Sequence, residues 1–237
     1  MIALDFMHCK YLGHDQYTYG SIFKLLVRHV LPDEPLKNLR VIWSEIQKYY
    51  KEHKVTSRYR SITKLTMFER KGQSFPKMRG KASEIRHLAG PLLAVWEAHM
   101  NESLDIHRRI RLYLKLNYSL EELLSVHRTE LALPPEDAQV FESTLDKMLL
   151  LLTNIAEHFL GARLFNLTQK SHFLQHVASL SACISPRLLW CFQGEDMQRR
   201  MATLAKQCVR GQGPGQSSIK MFQRYRLALH LNFEAQE

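Results

Sequence analysis

Apolar positions recur along most of this chain at intervals of three and four residues, the spacing of one face of an α-helix. Residues 17–31 place Tyr19, Phe23, Leu26, Val27 and Val30 on such a face and stop at Pro32-Asp33-Glu34-Pro35. Residues 36–51 repeat the pattern with Leu39, Ile42, Trp43, Ile46 and Tyr50. From Ser83 onward the periodicity is almost unbroken: helices are expected over 83–100 and 103–117, and from Ser119, where Glu121 and Glu122 favour the positive end of the helix dipole. Pro134-Pro135-Glu136-Asp137 is a strong helix start. The face behind it (Val140, Phe141, Leu145, Met148, Leu149, Leu152, Ile155, Phe159) runs for over five turns to Gly161. Three further helices are expected over 168–183, 195–209 and 217–233, the last two separated by a flexible Gly/Pro linker at 211–215.

Two regions escape this pattern. Ile2-Ala3-Leu4 reads as a short strand leading into Asp5. Residues 51–81 are polar and irregular, broken by Gly72, Pro76 and Gly80, and are the most basic per residue of the chain. The pattern therefore predicts a mainly α fold, a multi-helix domain with one or two short N-terminal strands. A single domain over 1–237 is expected, its parts being an N-terminal strand, helices and basic loop (1–82), a helical region (83–182) and acidic/basic C-terminal helices (183–237).

Charge adds a partner class. Lys and Arg number 33 against 23 acids, a formal net charge of +10, which favours polyanions and nucleic acid ahead of anionic membrane. Four cysteines (Cys9, Cys183, Cys191, Cys208) without CxxC spacing fit reduced thiols in an intracellular compartment. Charged residues interrupt the first fifteen positions, so no secretory leader is expected, and the longest apolar runs, such as 148–152, are too short to cross a bilayer.

Four constellations carry chemistry. Asp5, His8 and Cys9 fall within five residues: the carboxylate suits Mg²⁺ or Mn²⁺, the imidazole and thiol suit Zn²⁺. Against this stands a structural reading, in which Asp5 caps the following turn. His172 and His176 stand at i and i+4 on one helix face, a chelating spacing, without the glutamate of a zinc peptidase between them. Glu195 and Asp196 open a helix that continues with Arg199, Arg200, Lys206 and Arg210, placing acid beside phosphate-seeking side chains as a nuclease requires. Basic residues interleaved with aromatics (Arg58, Tyr59, Arg60, Phe75, Lys77, Arg79, Lys81, then Lys220, Phe222, Arg224, Tyr225, Arg226) suit phosphate contact with stacking. Arg108, Arg109 and Arg111 read as the solvated face of a helix.

Taken in order, these pieces resemble a family. "Asp-x-Met-His" at 5–8, "Gly-Lys-Ala-Ser-Glu" at 80–84 running into "Gly-Pro-Leu-Leu", "Leu-Thr-x-Lys-x-His-x-x-x-His" at 167–176 and "Pro-Arg-x-x-Trp-Cys-Phe-x-Gly-Glu" at 186–195 resemble segments of eukaryotic DDE transposases of the CACTA type and its relatives. The resemblance implies a remnant of an RNase H-like core carrying a helical insertion. It implies Asp5 and Glu195 as catalytic acids, with Asp5, His8 and Glu195 as ligands of Mg²⁺ or Mn²⁺ and zinc as the alternative ion. It also implies DNA held by Lys77, Arg79, Lys81, Arg199, Arg200, Lys220, Arg224 and Arg226. Asp5 is either the family's second acid or part of an Asp-x-x-His element after it. The family's first acid has no counterpart here, so the chain reads as a C-terminal portion, a DNA-binding fragment inactive in strand transfer or endonuclease chemistry by itself. Its expected partners are DNA and either an upstream transposase portion or a second copy, in the nucleus or, alternatively, the cytoplasm. The rival expectation is a non-catalytic helical interaction module whose histidines and acids are structural. A third is a zinc-stabilised domain using His8, Cys9, His172 and His176.

Overall fold

The structure is a computed structural model that describes residues 4–70, 72, 74–208 and 214–234. The side chains of Gln193, Glu195, Asp196, Arg199, Pro214, Leu229 and residues 231–234 lie outside this description. The chain divides into two compact units, Met1–Trp190 and Cys191–Glu237.

In the first unit the described residues form helices and loops and no strand. The mainly α expectation holds, while the RNase H-like sheet is not supported. The expected strand at 2–4 falls outside the described residues except for Leu4, which is irregular. Asp5 begins a helix instead. Its carboxylate accepts the backbone N–H groups of Met7 (2.9 Å) and His8 (3.3 Å), starting α1 (Phe6–Cys9) as an N-cap does.

The chain then winds almost without interruption to Val30: a wide π-helical segment (Lys10–Asp15), α2 (Gln16–Leu25) and a second π segment (Leu26–Val30). Pi turns are rare and usually single, so two in one rod are notable. The rod is central, with Phe6, Met7, Tyr11, Tyr19, Ile22 and Phe23 fully buried.

Around it pack α3 (Pro35–Glu52), α4 (Ala82–Arg86), α5 (Ala89–His99), α6 (Asp105–Val126), α7 (Pro135–His158) and α8 (Gln169–Ser179). Helices α6 and α7 pack on each other, α8 packs on α7, and α1 lies against α8. A break before Ser119 does not occur. Its hydroxyl donates to the Leu116 carbonyl (2.8 Å) from inside α6, a mid-helix use of serine that replaces capping, and Leu114, Leu120 and Leu124 bury one continuous face.

Residues 53–81 have little regular structure but are built into the fold. Ile62, Phe68 and Met78 are fully buried. Two passes of the segment pair with each other: Lys77 N–H donates to Phe68 O (2.8 Å) and Arg79 N–H to Met67 O (2.7 Å). Met78 N–H donates to Gln16 O (2.7 Å), pinning the segment to α2. A side chain at Gly20 would meet the Lys77 and Met78 backbone within 3 Å, so this docking requires glycine on the helix. Tyr59 donates to Arg79 O (2.8 Å), and its ring fills the space a β-carbon at Gly80, φ +156°, would occupy.

The second unit pairs α9 (Phe192–Cys208) with α10 (Pro214–Glu234). No helix among the described residues is long and apolar enough to cross a membrane. None of the four cysteines is in a disulfide.

Candidate nucleic-acid interface

The basic segment is where charge accumulates. Residues 51–81 hold ten Lys and Arg against two acids, and both acids are engaged: Glu69 by Arg28 (2.6 Å) and Glu52 by Lys48 (3.9 Å). Arg58, Arg60, Lys64, Arg70, Arg79 and Lys81 are exposed and form no ion pair among the described residues. On α6, by contrast, the cations are neutralised locally. Arg108 and Arg109 pair with Asp105, Arg111 with Glu102 and Lys115 with Glu97.

Because Tyr59 is tied to Arg79 and Met67–Phe68 to Lys77–Arg79, cations distant in sequence sit on one folded segment. Lys77 departs from this pattern. It is half-buried, its ammonium lies 4.9 Å from the centre of the Tyr17 ring, and burial and the nearby Arg70 push its pKa down. Beside the start of the segment a cleft of about 590 Å³ is lined by Tyr49, His53, Lys54, Arg86 and Tyr118. The Tyr49 and His53 rings stack there at 3.9 Å and 16°, an aromatic surface next to a cation.

In the second unit Arg200, Lys220, Arg224 and Arg226 are exposed. Arg226 lies over the Phe222 ring at 5.8 Å and Arg224 donates to Gln207 (3.5 Å). Arg199 lies on α9, with its side chain outside the description.

The metal-site residues divide differently. Asp5 and His8 do come together, Nδ1 to Oδ2 at 2.7 Å, with His8 about half exposed. Asp5 also serves as the helix cap, as its structural reading expected. Glu195 is on α9 in the second unit, its side chain outside the described residues. Cys9 is buried, which pushes its thiol pKa up and makes it a poor thiolate. His172 and His176 are exposed on α8, and among the described residues they do not join His8 or Cys9 in a cluster of metal-ligand dimensions. The four-ligand zinc site is therefore not assembled. Trp190, from the aromatic motif, has two guanidinium groups over its ring, Arg86 at 5.0 Å and Arg187 at 4.6 Å.

Sequence reasoning missed the densest polar cluster. Lys10 and Asp15 are both fully buried and meet at 2.8 Å. Residues five apart would stand about 140° apart around an α-helix; the wide π turn brings them together. Lys10 also reaches Glu121 (3.1 Å) and Asn117 (2.6 Å) from α6. Glu121 accepts from Arg86 (2.9 Å) and Tyr11 (3.0 Å), and Asn117 donates to Asp15 (3.2 Å) and Tyr19 (2.9 Å).

Burial opposes every charge here. It raises the Asp15 carboxyl to about 6, whereas for Lys10 the nearby Asp15 and Glu121 outweigh burial and hold the ammonium above its usual range. The pair is thus ionised at neutral pH. For Glu121 burial pushes upward, but Lys10 and Arg86 prevail and lower it.

His14 completes the cluster, its Nε2 2.7 Å from Tyr113 Oη and its Nδ1 3.0 Å from Ser171 Oγ. Burial and Lys10 push its pKa down to about 3. The unfolded chain therefore takes up a proton near pH 6.5 that the folded chain refuses, so the His14 contribution to stability is lost as pH falls from about 6.5 toward 3. The loss amounts to up to about 1.4 kcal/mol per pH unit. His14→Gln should show a stability–pH profile flatter than the wild type by that slope, read from urea unfolding at pH 7, 6, 5 and 4. Parallel profiles would mean that His14 protonates in the fold.

Comparison with family models, with curated proteins and with solved structures finds no match to this chain.

Proposed function

We propose that this chain is a helical DNA-binding module that holds the phosphate backbone without cutting it. The observation that carries this reading is the run of six exposed cations without ion pairs on residues 53–81, pinned to α2, whereas the cations of α6 are locally neutralised. Such a surface gains counterion-release free energy on meeting a polyanion, and a preformed loop loses little entropy in doing so. The stacked Tyr49 and His53 beside Lys54 add a platform suited to a base or sugar. The use of Asp5 as a helix cap supports binding over cleavage. Descent from a CACTA-type transposase, with the nuclear location and Mg²⁺ or Mn²⁺ chemistry it would bring, rests on the order of short motifs alone.

Fluorescence anisotropy of the full chain with duplex DNA across about 50–200 mM salt tests the reading. The logarithm of the affinity should fall linearly with the logarithm of salt, by about 0.9 for each phosphate contacted. A flat dependence, or no binding at the lowest salt, rejects it. It would favour the second reading, a protein-interaction module, for which the specific observation is the exposure of Ile219, Phe222 and Leu227 on α10.

A further inference from the structure

On α8, outside the DNA surface, His172 and His176 present their Nε2 atoms to each other at 3.1 Å with ring centres 4.6 Å apart. Both rings are exposed. The neighbouring side chains decide which nitrogen of His172 carries the proton. Asp146 can only accept, so the Gln175 amide turns its NH₂ to Asp146 Oδ1 (3.2 Å) and its oxygen to His172 Nδ1 (3.3 Å). Facing a carbonyl-type oxygen, Nδ1 is the donor, which leaves the lone pair of His172 on Nε2. Asp146 and Gln175 thus form the kind of outer support that metal-ligating histidines carry, an acceptor on the other ring nitrogen fixing tautomer and orientation.

We propose that His172 and His176 form a two-histidine site for a divalent transition-metal ion on the surface of α8, positioned by Gln175 and Asp146. With metal–nitrogen bonds of about 2.0–2.1 Å, nitrogens this far apart subtend an angle of about 100° at the ion, between square-planar and tetrahedral. The separation of the two nitrogens thus already suits a shared ion. Without metal, the His176 Nε2–H donates to the His172 Nε2 lone pair; on binding, His176 changes tautomer through solvent, losing the Nε2 proton and taking one up at Nδ1, so that both neutral rings turn an Nε2 lone pair to the ion. Imidazole nitrogens select Cu²⁺, Ni²⁺ and Zn²⁺ over Mg²⁺ and Ca²⁺, with Cu²⁺ bound most tightly. Exposure leaves the remaining coordination positions to water.

Isothermal titration of the full chain with CuCl₂ and with ZnCl₂ tests the assignment, together with the Cu²⁺ electron paramagnetic resonance spectrum. The wild type should bind one equivalent that His172→Asn and His176→Asn each lose, with nitrogen hyperfine structure disappearing along with it. Gln175→Leu keeps both ligands but removes the support, and should weaken binding about 10-fold or more while the spectrum still shows two nitrogens. MgCl₂ should give no heat at this site. The site is overturned if both asparagine variants, shown folded by circular dichroism, bind the same number of equivalents with the same spectrum as the wild type. Wild-type affinity in Gln175→Leu would overturn the positioning role.

Discussion

Lys10→Met should destabilise the first unit by about 3–5 kcal/mol, a large share of the stability of a typical domain. Among the described residues, the ammonium of Lys10 is the one cation that touches both Asp15 (2.8 Å) and Glu121 (3.1 Å), and it is completely removed from water. Without it Asp15 keeps only the Asn117 amide, and Glu121 keeps Arg86 and Tyr11. The cost is that of a carboxylate left buried without a countercharge, since a methionine replaces most of the volume and little packing is lost.

The direction can be checked with a second variant. In Lys10→Met/Asp15→Leu the orphaned carboxylate is gone, so stability should recover most of the loss, as it does where apolar residues replace a whole buried pair. Urea unfolding followed by tryptophan fluorescence gives both values and their coupling. A single variant within about 1 kcal/mol of the wild type would mean that water reaches the cluster.

Neutralising Arg58, Arg60, Arg79 and Lys81 together with glutamine should weaken DNA binding by about 10³-fold at about 0.15 M salt and flatten the logarithmic salt dependence by about 3.6. The four side chains are exposed, and the segment is held by its backbone bonds, by Tyr59 and by buried Ile62, Phe68 and Met78. The substitutions therefore remove charge and leave the scaffold. Arg108→Gln/Arg109→Gln is the matched control: those guanidinium groups are spent on Asp105, and their loss should change affinity little. Equal losses in both variants would point to net charge alone, and an unchanged quadruple variant would remove the loop from the interface.

The helical periodicity carried the architecture well. Faces such as Leu39, Ile42, Trp43, Ile46 and Phe141, Leu145, Met148, Leu152, Ile155 are buried where their spacing places them. It failed at Ser119, because a serine looks the same in sequence whether it caps a helix or donates back into one. The basic segment was also legible as charge. What hid its order is that Met78, Gly20 and Tyr59 act through long-range contacts with no local period.

The candidate metal residues show the same division. Spacing along one helix was enough to pair His172 with His176, because i and i+4 fix a distance. It could not supply Asp146, a residue of the preceding helix, nor could it join the pair to His8 or Cys9.

By itself, then, the sequence determined a helical protein with a concentrated positive charge, since both follow from residue type and local spacing. Only the tertiary structure decided that Lys10 and Asp15, seen in sequence as charges interrupting an apolar lead, form the buried centre of the first unit. The physical reason is that a buried ion pair persists only when groups from several elements satisfy it at once. Asn117, Glu121 and Arg86 arrive from α6 and α4, across more than a hundred and about seventy-five positions of chain respectively.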